Sequence, residues 1–144
     1  MDTLSKNSRI GFIGAGRVGA TLAVALHLKG YVIAAVASRT FASAKALAER
    51  IPSCVAYATA QEAASSSDVV FITTPDKAIG PTASTITWRA GQHVAHCSGV
   101  ASLDILGPAL EQNAIVGALH PFAVFTTVET SLKTLPGSTF AIEG

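Results

Sequence analysis

The chain has 144 residues, a formal net charge of +1, and 13% charged against 49% hydrophobic side chains, which suits one domain long enough to bury a real core. The charged fraction is about half the ~25% usual for globular chains, so highly charged disorder is excluded. The near-zero net charge excludes the basic footprint of a nucleic-acid binder.

Strand and helix patterns alternate along the chain. Arg9 to Ile13 is a short apolar run stopped by glycine, and Val18 to Lys29 follows with helical spacing: Val18, Leu22, Ala25 and Leu26 fall on one face, and Gly30 can close the helix. Tyr31 to Ala37 is apolar without alternation, as in a parallel strand buried on both faces. Phe41 to Arg50 reads as an alanine-rich helix stopped by Pro52, Cys54 to Tyr57 as a short strand, and Ala60 to Ser65 as a short helix. Asp68 to Thr73 is another buried strand, followed by a helix from Asp76 to Thr85 with a kink or break predicted at Pro81. His93 to Cys97, Ile115 to Leu119 and Thr139 to Ile142 read as strands, and Leu103 to Gln112 as a helix. This order predicts βαβ crossovers in a doubly wound, mostly parallel α/β sheet of three layers, a single domain over residues 1–144.

The most specific chemistry lies in Gly14-Ala15-Gly16-Arg17-Val18-Gly19. A bare G-x-G-x-x-G is a weak signal, but here it follows an apolar strand and opens an amphipathic helix, the context of a dinucleotide site. Gly14 permits the tight turn, Gly16 lets a pyrophosphate approach the backbone, and Gly19 lets the helix pack closely. Free N–H groups and the helix dipole then face the phosphates. In NAD-binding versions an acid about 20 residues further on bonds the ribose 2′-hydroxyl. Here that place holds Ser38-Arg39-Thr40, and no acid occurs from Gly30 to Ala48. A guanidinium there can bond a 2′-phosphate bidentately, with hydroxyl help from its neighbours. Such charge-assisted bonding is worth roughly 1.5–3 kcal/mol, about 10- to 150-fold in favour of NADP(H). The alternative is a solvated charge at a helix start.

Ligands in such sheets bind at the carboxyl ends of strands. Thr73, Thr74, Pro75 and Asp76 occupy that edge, where a nicotinamide ribose would pass, although Asp76 equally suits a helix N-cap. Ser98 follows one strand and His120 the next, so the two can share the cleft and move a proton during hydride transfer. The plainer alternatives are a cap for Ser98 and a backbone hydrogen bond from His120 that holds the turn at Pro121. No metal site is expected: His93 and His96, three apart on a strand, point to opposite faces. Cys54 and Cys97 belong to no Cys-x-x-Cys pair and read as buried reduced thiols. The polar start, Met1 to Ser8, lacks a signal core, and Val18 to Leu28 falls short of the ~18–20 apolar residues that span a bilayer, so a cytoplasmic chain with no membrane contact is expected.

IGFIGAGRVGATLA, SRT, TTPDKAI, HCSG and ALHPF together resemble the N-terminal half of a Rossmann-like oxidoreductase family. That family is similar to 6-phosphogluconate dehydrogenase, the deazaflavin-dependent NADP reductases, pyrroline-5-carboxylate reductase and prephenate dehydrogenase. The resemblance runs from Arg9 to Gly144 and is poorly specific for substrate. It implies that Ser38, Arg39 and Thr40 hold the 2′-phosphate and that Ser98 and His120 contact a small-molecule substrate. It also implies an all-helical second domain that dimerises and completes the pocket, and this chain is expected to lack it.

Two functions follow as expectations. One is the NADP(H)-binding domain of an oxidoreductase that moves hydride to or from a small carbonyl, imine or hydroxy substrate. The other is a non-catalytic NADP-binding sensor or interaction module. A methyltransferase is disfavoured, because its ribose usually needs an acid after the second strand. No Asp, Glu, Lys or Arg occurs between Gln112 and Val128, so the face around Phe122 to Val128 is expected to be covered by a helical domain or by a second copy in a homodimer.

Overall fold

A computed structural model describes residues 3–144; the first two residues of the polar start lie outside the described residues. The chain runs β1 (Arg9–Ile13), α1 (Arg17–Leu28), β2 (Val32–Ala37), α2 (Phe41–Ala48), β3 (Val55–Ala56), α3 (Ala60–Ser65), β4 (Val69–Ile72), α4 (Asp76–Thr85) and β5 (His93–His96). After a 3-10 turn (Leu103–Leu106) come α5 (Gly107–Leu110), β6 (Ile115–Phe122), α6 (Val128–Thr134) and β7 (Thr139–Glu143). The strands form one sheet in the order β3-β2-β1-β4-β5-β6-β7. Every pairing is parallel except β6 with β7. This is the predicted doubly wound α/β fold.

Strand order reverses at β1, so the crossovers among β1 to β3 and those among β4 to β6 lie on opposite faces of the sheet. On one face Phe12, Ile33 and Val36 pack with Leu22, Ala23 and Val24 of α1 and with Ala44 and Leu47 of α2. On the other, Ile13, Val70, Ile72 and Val94 pack with Ile79 and Ala83 of α4, Trp88, Leu106 and Ala109. The Phe12 and Phe71 rings stack with centroids 5.3 Å apart.

Several elements differ from the sequence expectation. Helix α6 is absent from it: its seven residues carry one short polar-apolar pattern, and Val128, Leu132 and Leu135 acquire an apolar face only against the α1 core. Because α6 packs on α1, the run Gly19 to Val24 is buried throughout rather than on one stripe. Helix α4 passes through Pro81 without a break. Pro81 and Lys77 are both exposed, so the carbonyl that proline leaves unpaired is open to water. The helix predicted over Leu103 to Gln112 is instead a 3-10 turn followed by one α turn, divided at Gly107-Pro108. β6 continues past Leu119 to Phe122 because the antiparallel β7 carries its ladder beyond β5, so His120 and Pro121 lie within the strand rather than after it. Among the described residues no helix is long and apolar enough to cross a membrane.

At the amino edge of the sheet, Arg9 donates its backbone N–H to Asp68 Oδ2 (2.8 Å) and its guanidinium to Oδ1 (3.3 Å), while the Asp68 N–H returns to the Arg9 carbonyl (2.8 Å). These bonds fix where β4 starts beside β1. The Arg9 backbone N–H first, and its guanidinium second, hold the Asp68 carboxyl below its ordinary range. A depressed carboxylate stabilises the fold above its unfolded-state pKa, and that stability is lost as pH falls through the folded-state value. Since both side chains are about half exposed, Asp68→Asn is expected to cost only about 0.5–1 kcal/mol at pH 7. Urea melts check this: the deficit should shrink below about pH 4, and a deficit unchanged with pH would contradict it.

Candidate functional site

At the carboxyl edge the β1–α1 turn is shaped by what it cannot accommodate. Gly14 has φ +111°, and a Cβ there would lie 2.6 Å from the Thr73 carbonyl carbon. The Gly14 N–H bonds the Ala37 carbonyl (2.8 Å), and its own carbonyl accepts from Thr73 Oγ1 (2.8 Å). A Cβ on Gly19 would lie 2.3 Å from the Gly14 carbonyl oxygen and 2.4 Å from Thr73 Oγ1, so α1 seats directly on that oxygen pair. Gly16 differs, since nothing lies within 4 Å of its added Cβ. It is the N-cap of α1 and offers no side-chain cap, and the first capping bond runs from Ala20 N–H to the Gly16 carbonyl. The N–H groups of the first turn therefore stay open toward the edge.

A cavity of about 900 Å³ lies over this turn. Gly14 through Val18, Ser38, Arg39 and Thr73 through Asp76 line it, joined by Ala60, Ala78, Thr82 and Thr85. Of the predicted cofactor residues, Gly19 lies beneath the turn and Thr40 outside the cavity. The Thr40 hydroxyl pairs with Ser43 Oγ (2.8 Å). Arg39 is exposed, and among the described residues no hydrogen bond or ion pair engages its guanidinium. Thr74 lines the cavity, yet its Oγ1 is buried without a partner. Asp76 is the first helical residue of α4 with Pro75 as N-cap, so it faces the helix dipole but does not cap.

Sequence reading missed the small residues of α4, although Ala78, Thr82 and Thr85 recur at helical spacing behind TTPD. It also missed Thr73 as the partner of Gly14. A smaller cavity of about 250 Å³ lies at the opposite edge among Asp68, Arg89 and His93. It is remote from the glycine turn and adjoins the amino ends of the strands.

Ser98 and His120 are brought to neighbouring segments, outside the large cavity. Buried Ser98 accepts the N–H groups of Val100 (3.2 Å) and Ala101 (3.1 Å) through Oγ, which makes it the cap of a loop rather than of a helix. The half-buried His120 places Nδ1 3.4 Å from the Cys97 carbonyl and lays its ring on Gly99, where a Cβ would lie 2.5 Å from Nε2. The buried His96 organises the same loop from below. Its Nδ1 accepts the Ser98 N–H (3.1 Å), so the proton sits on Nε2, 3.2 Å from the Ser102 carbonyl. Both ring nitrogens are thus engaged by the backbone of the loop, a role for which sequence carries no signal.

Cys54 and Cys97 are half-buried rather than fully buried, and both are free. Burial pushes the Cys54 thiol up to about 11 and the Cys97 thiol up to about 12, so neither supplies a thiolate nucleophile at neutral pH. Alkylation at pH 8 is expected to run at least about a hundredfold slower in the folded chain than in urea. Comparable rates would contradict the burial.

A Rossmann-like domain family model matches residues 2–121, and the chain belongs to that family. No curated protein sequence matches it. Among solved structures it is similar to a Bacteroides fragilis protein assigned as an NADP oxidoreductase, at 23% identity and TM-score 0.74, covering 96% of this chain and 52% of that one. It is also similar to Mycobacterium tuberculosis 3-hydroxyisobutyrate dehydrogenase (17%, TM-score 0.76, 94% and 45%). A third likeness is to Aspergillus terreus reductive aminase (19%, TM-score 0.71, 86% and 43%). At these identities the likeness is one of fold, and the chain spans about half the length of each.

The two glycines can be told apart by stability. Gly19→Ala must displace backbone and is expected to cost about 1–3 kcal/mol. Gly16→Ala meets open space and should stay within about 1 kcal/mol of the parent. Thermal melts of both variants check this, and equal losses would contradict it.

Proposed function

We propose that the chain is the NADP(H)-binding domain of an oxidoreductase that transfers hydride between nicotinamide and a small carbonyl, imine or hydroxy substrate. The observation that carries the reading is the exposed, unengaged Arg39 on the rim of the same cavity into which the first turn of α1 opens. In this reading the open N–H groups take the pyrophosphate, and the unobstructed approach at Gly16 lets it come close. Arg39 takes the 2′-phosphate, with Ser38 beside it. Thr74, Pro75 and Asp76 line the path toward the nicotinamide ribose. The structurally similar Aspergillus terreus reductive aminase is a complex with NADPH and ethyl-5-oxohexanoate, which agrees with both parts of the reading.

When bound, the cofactor supplies the hydride acceptor or donor. The chain's own contribution at the reacting end is His120, whose Nε2 is left for a substrate oxygen or nitrogen while Nδ1 faces the Cys97 carbonyl. Ser98 holds the loop on which His120 rests. Phe122 and Val124 stand 60% and 81% exposed near this end. We take that apolar surface as the seat of further protein, a helical domain or a second copy, that closes the substrate pocket.

A second reading, a cofactor-sensing or interaction module without catalysis, is favoured by one observation. Ser98 Oγ is already engaged by backbone, and neither Ser98 nor His120 lines the cavity. Turnover of small oxo acids or imines with NADPH by the protein extended to the length of its neighbours separates the two. Loss of that turnover in His120→Gln supports catalysis, and cofactor binding without turnover supports the module.

Fluorescence titration tests the cofactor assignment. NADPH should bind about 10- to 150-fold more tightly than NADH, and Arg39→Ala should abolish that preference while leaving NADH affinity unchanged. Equal affinities in the parent chain, or a preference that survives Arg39→Ala, would overturn it.

A further inference from the structure

We infer that Thr73 is a positioning residue for the dinucleotide turn, a latch whose hydroxyl aims the backbone of the turn. The inference rests on the NADP(H) reading for its consequence and on the nucleotide-free geometry for its basis.

Thr73 holds two successive carbonyls of the end of β1. Its backbone N–H donates to the Ile13 carbonyl at 2.8 Å, as the sheet ladder requires, and its Oγ1 donates to the Gly14 carbonyl at 2.8 Å. The second bond extends the β1–β4 ladder by one peptide, past the point where the turn has left the sheet. On the other side, the Gly14 N–H is held by the Ala37 carbonyl of β2 at 2.8 Å. The Gly14 peptide groups are thus fixed between β2 and β4, with the carbonyl drawn inward.

That direction matters for an anion. A carbonyl oxygen turned toward the cavity would set negative partial charge against a pyrophosphate, whereas one held inward leaves the following N–H groups as the exposed face. The same hydroxyl sets the height of α1. The site of an added Cβ on Gly19 lies 2.4 Å from Thr73 Oγ1 and 2.3 Å from the Gly14 oxygen, so the helix rests on the bonded pair and moves if the pair separates. Valine in place of Thr73 keeps the shape, removes the donor and leaves the Gly14 carbonyl without its partner, whereas serine keeps the donor.

The test uses the full chain with Thr73→Val and Thr73→Ser. Without nucleotide, amide hydrogen exchange at Gly14 and Ala20, whose N–H groups bond the Ala37 and Gly16 carbonyls, should speed up roughly threefold to tenfold in Thr73→Val, the range set by one lost hydrogen bond. NADPH affinity should fall by a similar factor, and Thr73→Ser should restore both to within about twofold of the parent. Wild-type exchange and affinity in Thr73→Val would overturn the latch, as would a Thr73→Ser variant as impaired as the valine. If Thr73→Val does not fold, Thr73→Ala is compared with Thr73→Ser by the same two measurements and judged by the same criteria. A parent chain that fails to bind NADPH would sink the cofactor reading, while the exchange comparison still decides the latch.

Discussion

The carboxyl edge depends on one constraint, the hold on the peptide groups of Gly14 between two strands. β2 takes the N–H through the Ala37 carbonyl, and β4 takes the carbonyl through the Thr73 hydroxyl. Those bonds are possible because β1 lies centrally, between β2 and β4, and because Gly14 alone tolerates the positive φ that turns the chain out of the sheet. Everything downstream inherits this geometry. α1 starts where Gly19 can rest on the turn, its first N–H groups face the cavity, and the remaining wall is supplied by the ends of β2 and β4. Under the proposed reading, the phosphates would meet a preformed array rather than a flexible loop, and a domain of low net charge would need no broad basic surface to bind them.

The shortage of charge has a related cause in the fold. A parallel sheet buried on both faces uses apolar residues on every strand, and here α6 adds a third helix beside α1 and α2, so that even the outer side of α1 is covered. Part of the charge-free stretch from Gln112 to Val128 is therefore consumed internally: Ala118 and Pro121 are buried and Val128 joins the α1 core. Phe122 and Val124 remain outside, close to His120, whose ring meets that of Phe122 edge-on with centroids 4.8 Å apart. The apolar surface is thus smaller than the sequence implies and concentrated near the histidine.

What was legible in the sequence was what glycine and periodicity encode. The parallel strands read as continuous apolar runs, and the roles of Gly14, Gly16 and Gly19 follow from spacing alone, because each is a demand of the backbone. Elements whose apolar face exists only in contact with another element were not legible. α6 has too few residues to show a period, and α5 is cut short by Gly107-Pro108. The site was legible in the same measure. Arg39 stands at a fixed distance from the glycines, while Thr73 and His96 act through hydrogen bonds to partners that sequence does not bring together. His120 was expected after a strand and lies inside one, since only pairing with β7 prolongs β6.

The central claim is that the held turn and Arg39 together form one anion-reading surface. A crystal structure of the chain grown with NADP⁺ tests it most directly. The pyrophosphate is expected against the N–H groups of Gly16 to Val18, the 2′-phosphate against the Arg39 guanidinium, and the Thr73 bond to the Gly14 carbonyl intact. A pyrophosphate bound elsewhere, or a 2′-phosphate in solvent with Arg39 turned away, would contradict it.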